Sequence, residues 1–437
     1  MDLISYSYDF SEYRYRPDGA VWPATTEQVS EIMELASREK IPIVPRGAGT
    51  GSTGMAVPKK GGVVLDLLRM NKILKISIED RIAIVQPGVV YDELQNALGP
   101  YGFFFPPDPA SGSVATLGGN VSTNAGGLKG AKYGTTRDYV LGLEVVLPDG
   151  RVMRTGTNCM KSASGYDLTK LLVGSEGTLG IITEITFKIA PRPTAVSTGM
   201  ASFKELEQAG HAVCEIMRSG IVPSACELLD KNIISLLIDQ AGIDLPRSEA
   251  MILLETDGHT QNETDFQMEK SIKIFEKNRA IEIRKAESEV EAEDLWRARR
   301  SIGGIIVGVR PNCLVEDVAV PISRLTDLIR GVEAISRKYG LYIVNFGHAG
   351  DGNLHPHLMY DGKNREEVAK VEKASAELFS LACDLGGTLS GEHGIGLSKA
   401  PFMTLEHDPV AMEMMRSLKR LFDPDNILNP GKMGLGF

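Results

Sequence analysis

The stretch Gly47-Ala-Gly49-Thr-Gly51-Ser-Thr-Gly54 limits the choice of fold more than any other in this chain. From Gly49 to Gly54 it spells GxGxxG, the mark of a dinucleotide-binding βαβ unit, but that fingerprint has to open a helix. MAVPKKGGVVLDL follows instead, and Pro58, Gly61 and Gly62 forbid a helix there. What remains is a nest, in which successive backbone N–H groups hold an anion without a helix behind them. A second stretch, PPDPASGSVATLGGNVSTNAGG (106–127), is too polar for a core and too long for an ordinary connection. A third, GSEGTLGIITEI (174–185), sets small residues just before a strand. Three backbone-rich loops suit a large ligand with many phosphate and ring acceptors, and one flavin dinucleotide would use them all.

The elements around these loops are readable from periodicity. Residues 25–39 read as a helix, with Thr25 and Gln28 as a capping box and Val29, Ile32, Met33 and Ala36 on one apolar face. IPIVP, IAIVQPG (82–88), VLGLEVVLPDG (140–150) and GIITEITFKI (180–189) read as strands, the last alternating at Ile182, Glu184, Thr186 and Lys188. APRPT (190–194) is the domain boundary, because its two prolines interrupt helix and sheet alike. Beyond it, amphipathic helices at 204–218, 263–278, 321–338 and 365–385 alternate with the strands AMILLET, IEIRKA, LVEDVAV and YIVNF. That pattern is α+β, an antiparallel sheet covered by helices. Met412, Met414 and Met415 read as packing on a C-terminal helix, and 287–294 as a solvated helix face.

Composition removes several functions. At 437 residues the chain suits two or three domains, and a net charge of −10 argues against nucleic acid, which needs a basic face. No run approaches the roughly 18 apolar residues of a membrane span, and the N-terminus lacks a signal-peptide pattern. Five scattered cysteines without a CxxC disfavour a disulfide scaffold, a zinc ribbon or an iron–sulfur cluster held by this chain alone. The expectation is a cytoplasmic protein in a reducing compartment.

Histidine is scarce, seven in all, yet His348, His355 and His357 crowd into GHAGDGNLHPHL (347–358). The insert AGDGNL reads as a turn between two strands, a hairpin that can aim His348 and His355 at one point. His355 and His357 share a strand face. Downstream, SGEHGIG presents Glu392 and His393 on a glycine-flanked loop. Two imidazoles and a carboxylate form a common set for zinc, iron or manganese with positions open to substrate. His357 is left as either a fourth ligand or a substrate contact. In LWRARRSIGG, Arg297, Arg299 and Arg300 offer a cation for a substrate carboxylate; Arg297 and Arg300 read as a solvated face.

Seven stretches carry a family resemblance in order along nearly the whole chain: PRGAGTGSTG, the 106–127 loop, KYGTTRDYVLGLEVVLPDG, LLVGSEGTLGIITEITFKIAPRP, GHAGDGNLHPHL, SGEHGIG and DPDNILNPGK. The chain resembles the FAD-linked oxidases of the vanillyl-alcohol oxidase superfamily, in the branch of D-lactate dehydrogenase, glycolate oxidase D-subunit and D-2-hydroxyglutarate dehydrogenase. The resemblance implies a two-part FAD-binding domain at 1–193, an antiparallel-sheet α+β cap at 194–385 and a C-terminal segment, 386–437, returning to the flavin. It implies flavin contacts from Arg46, Gly47, Ala48, Gly49, Thr50, Gly51, Ser52 and Thr53 in the first loop. Pro107, Thr116, Gly118, Gly119, Asn120, Thr123 and Asn124 follow in the second, then Gly177, Ile182, Asn429 and Lys432. Relatives with covalent flavin often carry a histidine in the first loop; Thr50 and Ser52 stand there, implying noncovalent FAD. His348, His355 and Glu392 align with the branch's metal ligands, His393 with its active-site histidine and Arg299 with its carboxylate-binding arginine.

The expected reaction is oxidation of a D-2-hydroxy acid, D-lactate or glycolate foremost, to the 2-oxo acid. Hydride goes to flavin N5 and the hydroxyl is activated by a divalent metal and His393 as base. Electrons then pass to an external acceptor, an electron-transferring flavoprotein, an iron–sulfur subunit or a quinone, within a homo- or hetero-oligomer. Two rivals stand beside it: a metalloenzyme without flavin, against which the three loops speak, and a flavoprotein subunit that only relays electrons.

Overall fold

The computed structural model describes residues 3–436. Contact density divides the chain into two compact units, one running up to Gly127 and then through Gly134–Arg192 and from Glu392 onward, the other made of Leu128–Tyr133 and Pro193–Gly391.

The first unit holds β1 (Gly19–Val21), β2 (Ile43–Arg46) and β3 (Val63–Asp66), a parallel sheet in the order β1-β3-β2. A second sheet is antiparallel and contains β4 (Ile73–Ser77) and β5 (Ile82–Val85), then β7 (Val140–Val146), β8 (Val152–Gly156) and β9 (Ile181–Lys188) in the order β4-β5-β9-β7-β8. The short β6 (Phe103–Phe104) pairs with β10 (Ala190–Pro191). The helix Thr26–Glu39 starts where Thr25 accepts a hydrogen bond from the Gln28 N–H, while the Gln28 amide reaches back to Ala24 N rather than to the cap. Its Val29, Met33 and Ala36 pack against Ile43 and Leu65, and Ile427 and Leu428 join the same core. A sequence-distant tail is thus part of this unit's interior. Lys419 is buried there, paired with Asp423 and donating to the carbonyls of Thr178 and Leu428. Residues 47–62 contain no helix, as Pro58 and the paired glycines require.

The second unit is built on one antiparallel sheet. Its strands are β11 (Ala195–Phe203), β12 (Ala225–Asp230), β13 (Ala250–Gly258), β14 (Glu282–Lys285), β15 (Asn312–Val315), β16 (Val318–Ala319), β17 (Tyr342–His348) and β18 (Asn353–Tyr360). They lie in the order β14-β11-β13-β12-β17-β18-β15, with β16 beside β18. On one face the helix Glu289–Val307 sets Trp296, Ile302 and Ile306 against Leu229, Leu253, Val344 and Phe346. The strand β12, ACELLD, escapes a periodicity reading because all six of its residues are buried and no polar face marks it. The helix expected at 321–338 begins as a 3-10 turn, Ile322–Arg324, after Pro321. Of the three methionines expected to pack, Met412 is buried but Met414 points outward, 51 % exposed.

Candidate active site

Within the second unit, the hairpin β17–β18 does what its glycines allow. Gly352 adopts φ +82° at the turn, and the register sets Phe346 opposite His355 and His348 opposite Asn353. His348 and His355 are then diagonal neighbours on one face, with their Nε2 atoms 3.4 Å apart. Each ring turns its other nitrogen toward a buried carboxylate. His348 Nδ1 lies 2.5 Å from Glu227 Oε1, and His355 Nδ1 faces Asp317 Oδ1 at 3.7 Å. Neither Glu227 nor Asp317 has any exposed surface. Backing one imidazole nitrogen with a carboxylate while the other converges on a shared point is the arrangement of metal-ligating histidines. Two nitrogens bound at about 2.0–2.1 Å in a tetrahedral array would lie about 3.4 Å apart. The donor set therefore fits a divalent ion.

His357 does not share that convergence. Its Nδ1–H donates to the His355 carbonyl at 2.7 Å, and its ring stacks on Phe346 at 4.5 Å. The Arg299 guanidinium also lies over the Phe346 ring, 4.6 Å from its centroid. Arg299 Nε donates to Glu227 Oε2 at 2.6 Å, while among the described residues no hydrogen bond occupies its Nη atoms. One carboxylate thus holds both His348 and Arg299. Burial alone would raise the Glu227 carboxyl, but its electrostatic attraction to, and hydrogen bonds with, His348 and Arg299 outweigh it and hold the group at about 2. Arg297 and Arg300 pair with Asp294 and Glu293 on the exposed side of the same helix.

The first unit gathers the glycine-rich loops. Gly47 and Gly49 leave no room for side chains, because an added Cβ would land on the Thr116 hydroxyl and the Arg46 guanidinium respectively; beside Gly51 the space is open. Thr116 caps the short helix Leu117–Thr123 by accepting from Gly119 N, and Asn124 closes it in the left-handed conformation. Thr123 donates back to the Gly119 carbonyl inside that helix. Gly177 lies against Pro45, Gly118 against Pro87, and Pro107 and Ala48 belong to the same loops, Pro107 buried. Thr53, Asn120 and Asn429 each keep a buried side-chain atom without a hydrogen-bond partner: Thr53 Oγ1, Asn120 Nδ2 and Asn429 Oδ1. Buried polar atoms are rarely left so, and these three lie on the loops expected to meet a cofactor, where a bound flavin's polar atoms could pair with them.

Other expected contacts are committed within the protein. Arg46 donates to the Tyr8 carbonyl, Asn124 Oδ1 accepts from Thr135 and Arg137, Ile182 is part of the apolar core, and Lys432 Nζ donates to the Val57 carbonyl at 2.7 Å. Asn429 Nδ2 ties Met55 O to Glu176 O. Glu176, not singled out by sequence, is buried and accepts from Ile395 N at 2.6 Å and Gly396 N at 2.8 Å, so it pins the segment that begins with Glu392 and His393. Glu392 itself lies against Gly126. Glu227 and Asp317 also escaped a sequence reading; the one available signal was an acid set among apolar neighbours, in ACELLD and in LVEDVAV, which must be paired if buried.

Comparison with known proteins settles the family. A model of the C-terminal domain of FAD linked oxidases matches residues 192–433, and one of an FAD binding domain matches 17–156. The chain belongs to the FAD-linked oxidases. This oxidase is 44 % identical over 432 residues to the glycolate oxidase subunit GlcD of Bacillus subtilis, covering 98 % of this chain and 92 % of that protein. It is 38 % identical over 419 residues to a D-lactate dehydrogenase of Archaeoglobus fulgidus, covering 94 % and 90 %. In fold it is similar to a p-cresol methylhydroxylase structure, with a TM-score of 0.82 at 21 % identity, covering 99 % of this chain and 92 % of that one. The oxidase is thus an FAD-dependent oxidoreductase of the glycolate oxidase and D-lactate dehydrogenase type, and the loops with their three unsatisfied polar atoms fit an FAD. No described helix is long and apolar enough to cross a membrane.

Proposed function

We propose that this enzyme oxidises a D-2-hydroxy acid, with D-lactate or glycolate as first choices, to the 2-oxo acid and hands the electrons to an external acceptor. The observation that carries the reading is the convergence of His348 and His355 Nε2, each backed by a buried acid, beside an arginine with its Nη atoms available. In this reading residues 1–193 bind noncovalent FAD, 194–385 cover the substrate and 386–437 complete the flavin site, in a protein of the cytoplasm. FAD supplies a two-electron acceptor, and a zinc, iron or manganese ion held by His348, His355 and Glu392 would lower the pKa of the substrate hydroxyl. Arg299 would grip the substrate carboxylate through Nη and orient C2–H. His393 would take the hydroxyl proton as the C2 hydride leaves for the flavin, giving the C2 carbonyl of the 2-oxo acid. That the Bacillus subtilis relative is a subunit of glycolate oxidase supports an acceptor in a partner chain, such as an iron–sulfur subunit or an electron-transferring flavoprotein.

The test is anaerobic mixing of the FAD-loaded protein with each D- and L-2-hydroxy acid while the flavin absorbance is followed. Bleaching by glycolate or by a D-acid, lost with a chelator and in His348→Ala, is expected. A flavin that stays oxidised with every acid in the presence of metal removes the assignment.

A further inference from the structure

We propose that Glu227 is a positioning residue that sets the metal-binding histidine and the substrate-binding arginine with one carboxylate; the inference rests on the function proposed above. Glu227 stands on β12, fully buried, with Oε1 on His348 Nδ1 and Oε2 on Arg299 Nε. Both partners present N–H groups, so the site demands an acceptor at each oxygen. The bond at Nδ1 keeps the His348 proton on that nitrogen and leaves Nε2 a lone-pair donor, the form a metal needs. The bond at Nε leaves both Nη atoms of Arg299 for another acceptor. The Phe346 ring beneath the guanidinium fixes its plane. Distance between ion and carboxylate clamp is then set by one side chain, and a hydroxy acid must span it with its C1 carboxylate and C2 hydroxyl. Substrates with the hydroxyl one carbon further away would not fit both anchors.

Glutamine makes the sharp variant, since its amide accepts at one position only. In Glu227→Gln the NH₂ group must face either His348 or Arg299. Facing His348, it forces the proton onto Nε2 and blocks the metal; facing Arg299, it opposes the Nε–H and frees the guanidinium. Aspartate keeps the charge but is one methylene short of reaching both. A control for burial alone is Asp230→Asn, which alters another buried carboxylate of β12, one that caps a helix at Ile233 N and accepts from Asn345 N.

The experiment uses the FAD-loaded full chain, titrated with Mn²⁺ by calorimetry and assayed for the KM and kcat of D-lactate and glycolate, with melting temperature alongside. We expect Glu227→Gln to weaken Mn²⁺ binding by about 10- to 100-fold or to raise KM at least about tenfold, with flavin content unchanged. Glu227→Asp should recover part of either loss. Asp230→Asn should lower the melting temperature while leaving Mn²⁺ affinity and KM within about twofold. If Glu227→Gln only melts earlier, with Mn²⁺ affinity and KM within about twofold of the parent, Glu227 is a buried strut and the proposal falls. A parent protein that binds no Mn²⁺, Zn²⁺ or Fe²⁺ overturns the metal assignment itself, and is recognised as such because the failure appears before any substitution is made.

Discussion

Arg299 shows how much of a side chain's chemistry depends on which of its nitrogens is already spoken for. With Nε on Glu227 and the ring of Phe346 beneath, it can still offer two parallel N–H bonds to a carboxylate. Lysine has one point charge and cannot do both. Arg299→Lys should therefore raise KM for the hydroxy acid at least about tenfold, a loss of about 1.4 kcal/mol of binding, and leave bound FAD unchanged. Steady-state kinetics with a flavin count would check it, and an unaltered KM would take Arg299 out of the clamp. At this scale the sequence was informative where residue type is rare and punctuation is heavy: AGDGNL reads as a turn, so the histidines flanking it lie on two paired strands. It was uninformative at Glu227 and Asp317, whose importance lies in what they face across a sheet. A glutamate in ACELLD looks the same whether it meets water or an imidazole.

At the scale of elements, the hairpin β17–β18 carries the geometry. Gly352 sits at φ +82°, and an added Cβ would collide with the Val320 carbonyl oxygen. Gly340, capping the helix Leu325–Tyr339 at φ +63°, has nothing within 4 Å of the same position. Both substitutions to alanine meet the strain of a left-handed backbone, about 1 kcal/mol, but only the first meets a wall. Gly352→Ala should therefore cost about 1–3 kcal/mol more than Gly340→Ala and weaken metal uptake as well, read by calorimetric melting and by ion titration. Equal melting temperatures for the two would show that the turn can relax. Long amphipathic helices and the alternating strand Ile181–Lys188 were legible beforehand because a polar face betrays their period. The six buried residues of β12 have no such face, and pairing order, β12 beside β17 across more than a hundred residues, is a property of the assembled sheet.

At the scale of the whole molecule, burial writes a pH dependence. Glu176 is pushed by burial, only partly offset by its bonds from Ile395 and Gly396, from 4.5 to about 7. Between those values the folded protein keeps a proton that the unfolded chain has released, so this group's contribution falls as pH rises through the window. Lys432, lowered by burial from 10.5 to about 8, has the opposite sign: the folded state has released its proton earlier, and stability rises with pH between about 8 and 10.5. Melting temperature measured from pH 5 to 8 should decline in the parent relative to Glu176→Gln, and parallel curves would contradict the buried ionisation. Removing FAD should lower the melting temperature too, because in the proposed site Thr53, Asn120 and Asn429 would lose a polar partner. Free FAD at 100 times its Kd should restore about 2.7 kcal/mol.

The tail that threads Ile427 and Leu428 into the core beside Ile43 also sets a timetable for synthesis. A ribosome emits the loops around Gly47 and Thr116 long before it emits Asn429, the residue that ties Met55 to Glu176. In between it delivers the entire sheet of residues 193–391. The nascent chain must therefore carry the expected nucleotide cradle half-built while that sheet emerges, and loading of the cofactor would wait for Asn429.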